Sequence, residues 1–174
     1  MSTKRMDMNK PYQIIKDSKI EFYKAGCVNG FYSNLFPASF VDINNKCWAT
    51  SEHYYQAHKY SEYPKIMEKL RNIKKPRDVS SAGRDKDIQM YISIDWNDKK
   101  DLIMKEALKY KFQQNNNLKK LLLESGDARI IEVTEHDNYW ACGDGTGLNK
   151  LGKFLMDLRS SLTLDLIKNV QEPS

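Results

Sequence analysis

The 174-residue sequence has no apolar run longer than a few residues, the longest lying around Leu121–Leu123. Crossing a bilayer as a helix takes about 20 apolar residues in succession, so no transmembrane helix fits. The N-terminus, MSTKRMDMNK, carries charge with no apolar segment behind it and does not read as a secretory signal. Cysteine is scarce: Cys27, Cys47 and Cys142 are widely spaced and form no CxxC pair. They do not suggest a disulfide framework, which favours a reducing, cytoplasmic compartment. The three histidines, His53, His58 and His136, combine with the cysteines in no recognisable zinc spacing, so neither metal nor cofactor is expected. A dense basic block is also missing. The net charge of +5 comes from 28 basic and 23 acidic residues, with the lysines spread along the chain. That balance suits an anionic ligand such as a phosphate without making a dedicated nucleic-acid module. There are no internal repeats.

What is present is an ordinary globular composition, 40% hydrophobic and 29% charged, in a length that fits one domain with one core. That domain is expected over 19–168, between short tails at 1–18 and 169–174. Ile20–Tyr23 reads as a strand, followed by the turn-rich loop KAGCVNGFYSN. Ala38–Ile43 and Lys46–Trp48 flank Asn44-Asn45, a hairpin signal. Thr50 is an N-cap for a helix to about Tyr60, with Glu52 in the first turn where the helix dipole favours a negative charge. Pro64 and Pro76 open two further helices, the second ending near Gly83-Arg84. Asp95 and Asp98 resemble a capping box ahead of a long helix to about Gln114, striped by Met104, Leu108 and Phe112. Leu118–Glu124 is another helical piece ended by Gly126, and Ala128–Val133 is a buried strand. The loop ACGDGTG leads into a last helix with Leu151, Leu155, Leu158 and Leu162 on one face. Many helices with a small set of antiparallel, hairpin-type strands predict an α+β fold rather than a doubly wound sheet.

Chemistry concentrates in two stretches. In TSEHYYQAHKY at 50–60, Glu52, Gln56 and Lys59 fall at i, i+4 and i+7 on one helix face. Such a row is often a solvated polar face. Here it follows Trp48, with aromatic residues close to Glu52, and aromatic walls desolvate a carboxylate and suit it to acid–base work. In EVTEHDNYW at 132–140, Glu132, Glu135, His136 and Asp137 cluster beside Trp140. They are either a solvated loop or active-site groups mounted between a strand and a glycine loop. The loop Gly143-Asp144-Gly145-Thr146-Gly147-Leu148-Asn149 offers backbone N–H groups to a phosphate, or is a plain connector. It lacks the Lys-Ser/Thr ending of a P-loop. Arg84 and Lys150 are further phosphate candidates or surface charges, and Cys142 reads as a small packing residue.

These stretches together resemble the YbiA/NADAR family of N-glycosidases. The matching pieces are FYSN at 31–34, WATSEHYYQAHKY at 48–60, AGRD at 82–85, DW at 95–96, ALKYKFQQN at 107–115 and EHDNYWACGDGTGLNKLGKFLMDLR at 135–159. They extend in order from about residue 20 to 162. Two local departures stand out: Leu35 where the family often has phenylalanine, and Ala141-Cys142 before Gly143 where many relatives have glycine at once.

The resemblance implies an α+β fold and hydrolysis of a ribose C1–N bond at an exocyclic amino nitrogen. Its two substrate classes are phosphorylated ribosylaminopyrimidine intermediates of riboflavin biosynthesis and guanine carrying ADP-ribose on its amino group, in nucleic acid or free nucleotide. A non-catalytic ADP-ribose- or nucleotide-binding module is the remaining alternative, disfavoured because both carboxylate positions are filled. By resemblance the functional Glu, Trp and Asp fall on Glu52, Trp96 and Asp137. The matching motifs add Ser33, Asn34, Trp48, Gln56, Arg84, Trp140, Gly143, Gly147 and Asn149 as substrate contacts. Glycosylamines also open to an iminium form that a lysine can trap, and Lys59 is the lysine best placed for it, ahead of Lys24. No membrane or obligate protein partner is expected.

Overall fold

The structure is a computed structural model, and it describes residues 19–171. The expected tail at 1–18 and the last residues, 172–174, lie outside the described residues. The chain divides into two compact units, Met1–Ser33 with Asn116–Ser174, and Asn34–Asn115.

The unit formed by the two ends of the chain is built on strands β1 (Lys19–Phe22) and β4 (Arg129–Glu132), which pair in parallel with Ile20 opposite Ile130. This corrects the expectation of antiparallel strands only. The two strands are far apart in sequence, and a long connection permits the parallel arrangement that a tight turn forbids. Helix α5 (Asn116–Glu124) precedes β4 and helix α6 (Lys150–Gln171) follows it, α6 packing on β4 and α5 on α6. Leu151, Leu155 and Leu162 turn into the core with Ile20, Phe22, Leu122 and Ile130. Arg159 in α6 is buried, its Nη1 donating to Ser125 Oγ at 2.7 Å and to the Ala128 carbonyl at 2.9 Å. α6 continues through 169–171, where a tail was expected.

The central unit starts with a two-stranded antiparallel hairpin, β2 (Phe40–Val41) and β3 (Cys47–Trp48), around the expected Asn44-Asn45 turn. Asn45 takes φ +57°, and buried Asp42 closes the turn by accepting from the backbone N–H groups of Asn44 and Lys46. Four helices follow: α1 (Ser51–His58), α2 (Pro64–Arg71), α3 (Pro76–Ala82) and α4 (Trp96–Gln114). Thr50 caps α1 as expected, its Oγ1 accepting from the His53 backbone N–H at 3.2 Å. The Asp95 capping box does not form: the Asp95 carboxylate takes the Ser93 hydroxyl at 2.7 Å and pairs with Lys99 instead. Met104, Leu108 and Phe112 are fully buried, each contributing about 1.5–3 kcal/mol of apolar burial.

The position of α1 decides the character of the site. It contacts α2, α3, α4 and β3, and every residue from Ser51 to Ala57 is buried. The solvated polar face considered for Glu52, Gln56 and Lys59 is therefore not there. Polar side chains on a helix enclosed this way must satisfy one another.

Candidate active site

Glu52 is 5% exposed, and each of its carboxylate oxygens accepts from a side-chain amide. Asn34 Nδ2 donates to Oε2 at 2.5 Å and Gln56 Nε2 donates to Oε1 at 2.7 Å. The Asn34 carbonyl also accepts from the Glu52 backbone N–H at 3.0 Å, so Asn34 fixes both the helix start and the carboxylate. The amide of Gln56, itself 3% exposed, is left with Oε1 lacking a hydrogen-bond partner among the described residues.

Lys59, one turn beyond Gln56, is 9% exposed. Its Nζ donates to the Gly83 carbonyl at 3.4 Å and stands 5.6 Å from the centre of the Tyr55 ring. Burial draws its pKa down to about 8; the nearby Glu52 charge opposes the fall and Arg84 adds to it. A lysine with that pKa presents a fraction of free amine near neutral pH, the form that adds to an iminium carbon. Tyr55 meets Trp96 edge-on at 5.0 Å, so the indole joins the same aromatic wall. Arg84 is exposed, close enough to Lys59 to act on its charge.

Trp48 is the clear correction among the expected substrate contacts. Its ring is 1% exposed, packs against Tyr54 and His58, and donates its indole N–H to Asp42 at 2.9 Å. It is a core residue with no face left for a ligand. His53 is likewise structural, its ring nitrogens at 2.7 Å from Thr50 Oγ1 and 2.8 Å from the Ile73 carbonyl.

In the other unit, half-buried Asp137 uses Oδ1 to accept from the backbone N–H groups of Tyr139 at 2.9 Å and Trp140 at 2.7 Å. This turn sets the half-buried Trp140 ring edge-on to Tyr139 and to Phe154. The Lys150 amine lies over the Tyr139 and Phe154 rings at 5.5 and 5.7 Å. Asn149, at φ +48°, donates Nδ2 to the Ile130 carbonyl at 2.9 Å and accepts on Oδ1 from the Glu132 N–H at 3.0 Å. Its amide ties the loop to β4, with one N–H of Nδ2 and one lone pair of Oδ1 engaged there. At Gly147 the N–H donates to the Cys142 carbonyl at 2.8 Å, and a Cβ there would lie 2.7 Å from the Ala141 oxygen. Gly143 sits at φ +57° against Asn138, a conformation that favours glycine. Ser33 is buried at the end of a 3-10 turn, its N–H donating to the Gly30 carbonyl.

A family model described as the NADAR domain matches residues 21–163. The chain belongs to the NADAR family. It is similar to N-glycosidase YbiA of Escherichia coli (strain K12), 37% identical over 153 residues that cover 87% of this chain and 93% of that protein. It is also similar to the riboflavin biosynthesis protein VVA0006 of Vibrio vulnificus, 35% identical over 85% of this chain and 40% of that longer protein. Among solved structures, the NMR structure of E. coli YbiA superposes with a TM-score of 0.79 at 32% identity, covering 100% of this chain and 98% of that one. The α+β fold is the one seen in YbiA. Within the NADAR family, and matched nearly end to end by relatives named as N-glycosidases, the chain is a hydrolase of N-glycosyl bonds. No helix among the described residues is long and apolar enough to cross a membrane.

Two further residues of this NADAR chain bear on the buried helices of the site. Gly83 reads only as a helix break, although its carbonyl receives Lys59 and also the Tyr60 hydroxyl at 3.2 Å. Lys111 is fully buried, its amine near the rings of Phe36 and Phe112, and desolvation lowers its pKa to about 7. The signal for Lys111 was available. Positions 104, 107, 108, 111 and 112 make one helical stripe, and a lysine in such a stripe is committed to the interior.

Proposed function

We propose that the chain hydrolyses the ribose C1–N bond of phosphorylated ribosylaminopyrimidine intermediates of riboflavin biosynthesis, with Glu52 as its central catalytic carboxylate. The observation that carries this reading is the buried cluster itself: a carboxylate with an amide donor on each oxygen and a lysine of lowered pKa beside it. Cleavage builds positive charge at C1, and a fixed, water-poor carboxylate stabilises it. Water's oxygen then bonds to C1, and its proton ends on the departing amine. The family resemblance assigns Asp137 the part of second carboxylate, positioning the water or protonating the amine. The same resemblance assigns Trp96 to stacking on the heterocycle, and Arg84, Trp140 and Gly143 to contacts with the phosphorylated sugar.

Lys59 supplies a covalent route. The glycosylamine ring opens to an iminium at C1, the Lys59 amine adds there, and the heterocyclic amine leaves with a proton. Water then hydrolyses the lysine imine and returns the free amine and ribose phosphate.

The riboflavin name of the Vibrio relative favours the pyrimidine substrate over ADP-ribosylated guanine. No cofactor is needed, and we place the enzyme in the reducing cytoplasm. The test is a parallel assay of the purified protein on a ribosylaminopyrimidine phosphate and on ADP-ribosylated guanosine. Faster release of aminopyrimidine is the expected result; turnover of the guanosine conjugate alone moves the assignment to ADP-ribosyl hydrolysis. ADP-ribose binding with neither turnover would make the chain a binding module.

A further inference from the structure

Three polar groups of the Glu52 cluster converge on a residue with no side chain. The Gly83 carbonyl accepts from Lys59 Nζ at 3.4 Å and from the Tyr60 hydroxyl at 3.2 Å. Its bare Cα meanwhile faces the Gln56 amide. A Cβ at Gly83 would stand 2.2 Å from Gln56 Oε1 and 2.9 Å from Gln56 Cδ, well inside contact distance. Backbone conformation does not demand glycine here, because φ is −72° and ψ 0°, open to any residue. The glycine answers to the Gln56 amide and not to the chain turn.

What Gln56 does explains why that room matters. Its Nε2 holds Glu52 Oε1 at 2.7 Å, and its own Oε1 stays buried and unpartnered among the described residues. Turning the amide over would aim its oxygen at the carboxylate, two acceptors face to face. The amide is thus locked with its donor on Glu52 and its acceptor against Gly83. Pushing it from the Gly83 side moves the group that orients the carboxylate.

We propose that Gly83 is a positioning residue of the N-glycosidase reaction: its bare Cα seats the Gln56 amide against Glu52, and its carbonyl fixes the Lys59 amine. The assignment rests on the reading of Glu52 and Lys59 given above. It extends the site to the end of α3, a segment that carries no reacting group.

The experiment is a double-variant cycle of Gly83→Ala and Gln56→Ala, assayed for kcat and KM on whichever of the two substrates is turned over. Gly83→Ala is expected to lower kcat about 10- to 100-fold, the scale of a misplaced catalytic group, with KM close to the parent and the melting temperature lowered by the few degrees that overpacking entails. Removing the Gln56 amide removes the contacts with Oε1 and Cδ and leaves only the 2.9 Å approach to Gln56 Cβ, so the double variant is expected to fall much less below Gln56→Ala than Gly83→Ala falls below the parent. Parent-like kcat in Gly83→Ala, or losses that multiply in the double variant, would overturn the proposal. Should Gly83→Ala not fold, Tyr60→Phe probes the carbonyl without added volume. Freed of the hydroxyl, the carbonyl favours the ammonium form, so the lysine limb of the pH–kcat profile is expected to move up; a superimposable profile overturns the proposal. Glu52→Gln, run alongside, separates the two readings. Full activity there removes Glu52 itself, whereas an inactive Glu52→Gln beside a parent-like Gly83→Ala removes only Gly83.

Discussion

The Glu52 helix and the loop from Asp137 to Asn149 both carry several polar residues, yet they spend them differently. In the loop, side chains are consumed by backbone: Asp137 holds two N–H groups, Asp144 takes the Thr146 N–H and hydroxyl, and Asn149 bridges to β4. Along α1 the backbone is satisfied by the helix, so Glu52 and Gln56 meet each other instead, with capacity left over at Gln56 Oε1. Asp137 commits one oxygen to backbone N–H groups, whereas both oxygens of Glu52 are held by side-chain amides. The two regions should therefore respond differently to substitution.

The largest effect is expected at Lys59. Lys59→Ala should lower turnover by at least about 10³-fold if the imine route operates, and abolish the adduct trapped by borohydride. An adduct that persists in this variant would remove Lys59 from the covalent step. Asp137→Asn sharpens the contrast, because asparagine keeps the acceptor for both backbone N–H groups. The fold should hold while kcat falls about 10²-fold, in line with a lost proton-transfer group. Unchanged kcat would confine Asp137 to building the turn.

Much of this organisation is legible in the sequence, and the misses have physical causes. Thr50, Pro64 and Pro76 mark helix starts because capping and proline chemistry are local. The Asn44-Asn45 hairpin is local as well. The β1–β4 pairing joins the two ends of the chain, and no local pattern announces a parallel partner so distant. Trp48 and Trp96 look alike in sequence, both aromatic residues beside a helix start. Only packing shows that Trp48 is enclosed around Asp42 while Trp96 flanks Tyr55. Burial of the whole Glu52 row follows from the helices around α1, which a single helix's spacing does not reveal.

Two smaller effects test the structural half of the comparison. Asn149→Ala strands the Glu132 N–H and the Ile130 carbonyl, and should cost about 1–3 kcal/mol of stability by urea titration, with kcat per folded molecule near the parent. A fall in kcat at unchanged stability would make Asn149 a substrate contact rather than a structural tie. The smallest is a pH slope. Lys111 and Lys59 have folded pKa values of about 7 and about 8, below the ordinary 10.5. Between those values the unfolded chain binds more protons, so stability should rise as pH goes from 7 to 9. Lys111→Met should flatten that rise; a parent urea midpoint that stays level or falls over this range would contradict the burial of both amines.

The most direct measurement is the turnover of Glu52→Gln on the substrate identified for the parent enzyme, with its melting temperature taken on the same sample. Glutamine fills the same volume but carries no charge. The expected result is a folded protein with kcat reduced about 10²- to 10⁴-fold, the scale of a lost catalytic carboxylate. A folded Glu52→Gln that turns over at the parent rate would contradict the central role given to Glu52.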